Sequence, residues 1–115
     1  MIRTRSVLEK KSEDDGTRIC VMRFVRDSHD FDERLRDLAP SKELLNDYRK
    51  KKIPWSEYEK RHLQEMEQHS ELIRELKKRS DEGEVITLLC WEKDDSFCHR
   101  RLLKELIENR LVHMD

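Results

Sequence analysis

The segment Glu84-Val85-Ile86-Thr87-Leu88-Leu89-Cys90 is a nearly unbroken apolar run in a chain where 44% of residues are charged. A run this short, with Gly83 before it and a polar stretch from Trp91 to Ser96 after it, reads as a strand buried on both faces. Such strands belong to parallel sheets with helices on either side. Thr17 to Val25 reads the same way. Ile19 and Val21 fall on one face, and Cys20, Met22 and Phe24 on the other. Ile2 to Leu8 mixes β-branched residues with charges and suits a short edge strand. Between them, Ser12-Glu13-Asp14-Asp15-Gly16 reads as a turn, with the glycine taking a positive φ.

The intervening stretches have helical spacing. Phe31, Leu35 and Leu38 predict a helix within Arg26–Ala39. Ser41 caps the next, which buries Leu44, Leu45 and Tyr48 and ends at Lys50-Lys51-Lys52. Pro54 fits the first turn of a third, with a stripe of Trp55, Tyr58, His62, Leu63 and Met66. Ser70 caps a fourth, carrying Leu72, Ile73 and Leu76 and stopping near Gly83; one rod from Pro54 to Asp81 is the rival reading. Heptads do not persist long enough for a coiled coil. A last helix runs from about Phe97 to Asn109, burying Leu102, Leu103, Leu106 and Ile107, and Leu111–Met114 suits a final short strand. Strands alternating with helices predict an α/β fold, with a mostly parallel sheet of three to four strands covered by helices, in one domain spanning residues 1–115.

Composition limits the function. Leu, Ile, Val and Phe make up about a quarter of the 115 residues, above the roughly 20% below which chains stay disordered. The 25 basic and 26 acidic side chains nearly cancel, so nucleic acid is not favoured as a partner. No apolar run is long enough to cross a membrane, and the first residues lack the apolar stretch of a signal peptide. Three cysteines, an odd number, fit a reduced, cytoplasmic setting. With only Gly16 and Gly83, a glycine-rich phosphate loop is excluded.

In a parallel sheet, ligands bind beyond the carboxyl ends of the strands. Cys90 ends the best strand, and Cys98-His99-Arg100 opens the helix that follows. A helix N-terminus attracts anions and lowers the pKa of a nearby thiol. Cys98 and His99 are therefore the candidate catalytic residues, with Arg100 as a forked anion partner and Cys90 beside them. Arg23 and Arg26, near the end of the first long strand, are candidates for the same site. Each has a plainer reading: Cys98 and His99 as core, Cys20 as core, and Trp55, Tyr58 and His62 as a packing stripe. The C-x5-R pattern of cysteine phosphatases fails, because the arginine position holds Ser96 counting from Cys90 and Lys104 counting from Cys98. Neither CxxC nor HxxxH occurs. Metal ligation by Cys90, Cys98, His99 and His113 is a third reading, but adjacent Cys98 and His99 point in different directions on a helix, which disfavours it, and no cofactor is expected.

Leu38-Ala39-Pro40-Ser41, Leu44-Leu45, Trp55, Tyr58, Val85–Cys90, Glu92-Lys93-Asp94 and Cys98-His99-Arg100 together resemble the YeaO-like family, small prokaryotic proteins of unknown function (domain of unknown function 488). The likeness runs from Ile2 to about His113. It implies a three-layer α/β domain in the cytoplasm. It also implies that Cys98, His99 and Arg100 form a family signature, with Cys90 and Glu92 upstream. It marks Arg23 and Arg26 in a block of the form Arg-aromatic-Trp-Pro-Arg-Gly, which here reads Arg23-Phe24-Val25-Arg26-Asp27 without the Trp, Pro and Gly.

Two functions lead, ahead of the reading as a structural or redox metal protein. One is a small-anion site, of phosphate or carboxylate type, with thiol chemistry at the Cys-His-Arg helix start. The other is a non-catalytic interaction module using the charged helical segment 41–83, for which a homodimer is one arrangement. Whether the chain is an enzyme is left open.

Overall fold

The computed structural model describes residues 1–26, 29–91 and 98–108. Four strands, Ile2–Ser6 (β1), Thr17–Cys20 (β2), Glu33–Arg34 (β3) and Ile86–Cys90 (β4), form one parallel sheet in the order β1-β4-β2-β3. The apolar run is thus a central strand, and β1 is an edge. Four α-helices are described: Lys42–Arg49 (α1), Trp55–Met66 (α2), Ser70–Asp81 (α3) and His99–Ile107 (α4). Glu92 and the segment expected as a final strand, Leu111–Met114, lie outside the described residues.

The register pairs Ile2 with Ile86 and Ile19 with Leu88. These side chains, with Val21, form one buried cluster with Met66, Leu76, Leu103 and Ile107 from α2, α3 and α4. Alternation sends Arg18, Thr87 and Leu89 to the other face. The 3-10 turn at Glu13–Asp15 lies on that face, bonded to Arg18 of β2 and Thr87 of β4. Arg18 is fully buried there in mid-strand. Its guanidinium donates to Asp15 Oδ2 at 2.7 Å and to the carbonyls of Glu9 and Asp30 at 3.1 Å each. Thr87 Oγ1 donates to the Asp15 carbonyl at 2.7 Å. A buried charge needs such partners, and an apolar helix face cannot supply them.

Gly16 allows the turn to lie against β4. Its φ is +62°, and a Cβ there would sit 2.2 Å from the Val85 carbonyl oxygen. The expected helix within 26–39 is replaced by β3 and a 3-10 turn at Arg36–Leu38. There Asp32 N and Leu35 N donate to the Arg18 and Cys20 carbonyls, so pairing with β2 overrides helical spacing. The rod expected as the rival reading is broken by a 3-10 turn at Glu67–His69. Ser70 then begins α3 rather than capping it. Ser41 does cap α1, accepting from Leu44 N at 3.2 Å. No helix among the described residues is long and apolar enough to cross a membrane.

Candidate functional site

Parallel strands end together, so β2 and β4 deliver Val21 and Cys90 to one side of the sheet, where α4 begins. Cys98 is the N-cap of α4, with φ −138° and ψ 143°. That extended backbone turns its side chain back toward the strand end while His99 enters the helix. The expectation that these neighbours diverge is therefore corrected: His99 Nδ1 lies 3.9 Å from Cys98 Sγ and 3.7 Å from Cys90 Sγ. The other ring nitrogen, Nε2, is 2.6 Å from the Val21 carbonyl oxygen. A carbonyl can only accept, so Nε2 carries the proton, and in the neutral ring Nδ1 presents its lone pair to both thiols. His99 is also a buried residue, as its plainer reading as core has it.

All three side chains are buried, and so is Arg100. Arg100 is neither a surface charge nor part of the cavity wall described below. Its Nη1 donates to the Cys90 carbonyl at 3.4 Å. Its charge also helps hold the Glu9 carboxyl below its usual range, after the larger effect of the Arg5 hydrogen bond. The Cys98 thiol is pushed up, by its hydrogen bond with Cys90 and by burial. Lowering at a helix N-terminus was expected; instead the paired thiol and the apolar surroundings prevail over the dipole.

Cys90, Cys98 and His99 are among the residues that line a cavity of about 380 Å³. Arg23, Arg49, Lys51, Tyr48 and Tyr58 are among its other lining residues. No acidic residue is among the described residues that line it. Arg23 Nε is buried without a hydrogen-bond partner. Arg26 stands apart: its guanidinium lies over the Trp91 ring, 5.2 Å from the centroid, in an adjoining depression. The structure therefore brings together Cys90, Cys98, His99 and Arg23. It sets Arg100 behind them and Arg26 beside them.

Sequence reasoning missed Arg49 and Lys51 as cavity residues, reading Lys50-Lys51-Lys52 only as the end of the helix. The signal was their position one and three residues after Tyr48, whose ring packs 4.7 Å from that of Tyr58. His62 is core, as read, yet it also touches the site. Its ring centroid is 5.5 Å from that of His99, and its Nε2 lies 3.3 Å from the Leu38 carbonyl oxygen. Burial, then the neighbouring His99, pushes His62 down to about 3, so it is neutral. Within segment 41–83, charges are partly spent on ion pairs, Arg61 with Asp47 and Arg79 with Glu33 and Glu84.

A family model described as the active DUF488-N3 subclade matches residues 2–111. No curated protein and no solved structure matches the chain.

Proposed function

Since the chain belongs to the DUF488 family by a match over nearly its whole length, we propose a function for the cavity that closes the carboxyl ends of its sheet: binding of a small anion, of phosphate or carboxylate type. The observation that carries this reading is the charge of the wall. In a chain of 25 basic and 26 acidic residues, the described lining of the cavity holds Arg23, Arg49 and Lys51 and no carboxylate. A concave site with one sign of charge and low-dielectric walls focuses its field on a ligand of the opposite sign. The tyrosines give the ligand's apolar part a surface to rest on.

The reading puts binding ahead of thiolate catalysis, because the hydrogen bond with Cys90 and burial push the Cys98 thiol up, which works against a thiolate nucleophile. Titration calorimetry with phosphate, sulfate and citrate, against a chloride control at constant ionic strength, tests it. Saturable binding that weakens about tenfold or more in Arg49→Gln, the loss of one charge-assisted contact, is expected. Arg49 is exposed, so the variant keeps the fold. No saturable heat with any of the three anions overturns the reading.

A further inference from the structure

We propose that Cys90, Cys98 and His99 form a three-ligand site for a borderline-soft divalent cation, zinc by ligand class, with its fourth position open to the cavity. Their ligand atoms all lie within 4.8 Å of one another. Zinc–sulfur bonds of about 2.3 Å and zinc–nitrogen bonds of about 2.0–2.1 Å at tetrahedral angles put sulfur and nitrogen about 3.6 Å apart. The two observed separations, 3.7 and 3.9 Å, need to close by only a few tenths of an ångström.

The histidine is already set for ligation. Metal-bound imidazoles donate their second N–H to a carbonyl or carboxylate, which fixes the tautomer and the ring plane. His99 does this through Nε2 to Val21 and presents Nδ1 to the two sulfurs. Binding exchanges two thiol protons for the metal and releases them to solvent. Two thiolates then balance the dication, so the site gains no net charge beside the buried Arg100. Three protein ligands with one position free is the arrangement of a working zinc ion rather than a purely structural one. All three residues border the cavity, so that position faces it.

This inference is separable from anion binding by the wall, because metal content is read with no anion added. The full chain, purified under reducing conditions without chelator, is assayed for bound metals by mass spectrometry. It is then stripped and titrated with cobalt(II). About one zinc per chain is expected, with intense visible bands and a thiolate-to-cobalt charge-transfer band in the near ultraviolet. Cys90→Ser and Cys98→Ser each lower cobalt affinity at least about 100-fold, whereas Cys20→Ala leaves it unchanged. Circular dichroism confirms that each variant is folded. The wild-type spectrum stands even where a variant does not fold. Reduced, folded wild type that gives no saturable cobalt spectrum overturns the proposal. So does a cobalt spectrum without thiolate charge transfer, or a Cys90–Cys98 disulfide in place of metal in the purified protein.

Discussion

Replacing Asp15 by Asn removes the charge that compensates Arg18 on the face of the sheet that carries the Glu13–Asp15 turn. Both side chains are fully shielded from solvent. Asp15 accepts from Arg18 at 2.7 Å, from Arg5 at 2.8 Å and from Ser12 N at 3.0 Å. Asn offers one acceptor oxygen, so its NH₂ group faces either the Arg5 guanidinium at the Oδ1 position or the Arg18 guanidinium and the Ser12 N–H at the Oδ2 position, and in both cases no carboxylate charge is left beside Arg18. Breaking a buried pair on one side costs about 3–5 kcal/mol. Against a total stability of about 5–15 kcal/mol for a domain, that loss is large. Acid gives a second, smaller estimate. Burial alone would raise the Asp15 carboxyl, but the Ser12 N–H and the Arg5 and Arg18 guanidiniums outweigh it and bring it from 3.8 to about 2. Because the folded value lies below the unfolded one, the carboxylate contributes stability above pH of about 4, and this is lost as pH falls toward 2. The depression is worth about 2 kcal/mol. Urea unfolding followed by circular dichroism, at pH 7 and in steps down to pH 3, measures both. Asp15→Asn is expected to lose about 3–5 kcal/mol at pH 7 and to show a flatter acid limb than wild type. Adding Arg18→Met recovers part of the loss, because the orphaned charge is gone. A cost below about 1 kcal/mol at pH 7, or acid limbs that run parallel, refutes the assignment of Asp15 as the counterion of this face.

Three further perturbations test the frame around the site. Leu88→Ala, at a fully buried position of the central strand, costs about 2–5 kcal/mol in the same urea assay and leaves a cavity beneath α4. Gly16→Ala drives a Cβ into the Val85 carbonyl and strains a φ of +62°, so it lowers stability by at least about 1 kcal/mol; an unchanged midpoint argues against the close approach of that turn to β4. Ser41→Ala removes the cap of α1 and its bond to Glu65, and a loss of about 1 kcal/mol in thermal unfolding is expected.

The parts of the fold legible in the sequence are those where one force dominates. Val85–Cys90 is apolar enough that only a central strand suits it, and Ser41 before a stripe of Leu44 and Tyr48 announces a capped helix. Where two forces compete, the pattern misleads. Phe31, Leu35 and Leu38 have helical spacing, yet that stretch lies alongside β2, and its backbone N–H groups at Asp32 and Leu35 pair with β2 instead. Arg18 sits in mid-strand as an ordinary alternating charge and gives no local sign of being buried. Its burial depends on Asp15, Glu9 and Asp30, which are brought to it only by the turn and the loop.

The candidate site was legible by address but not by geometry. The rule that parallel sheets bind at their carboxyl ends finds Cys90 and the start of α4 without coordinates. What Cys98 and His99 do together depends on one residue's backbone. Within a helix, consecutive side chains diverge by about 100° around the axis, and no shared ligand is feasible. With Cys98 still extended as the N-cap, the same dipeptide spans a strand-like residue and a helical one, and its sulfur and imidazole converge. The boundary matters to one residue, which is finer than sequence patterns resolve, since helix ends differ by one or two residues even between assignments on known coordinates. Moving that boundary therefore tests the site directly. A substitution that lets α4 begin one residue earlier would keep both thiols and the ring while separating Sγ from Nδ1. If the convergence of Cys98 and His99 is what the site uses, cobalt affinity falls in such a variant as steeply as in Cys98→Ser, with α4 intact.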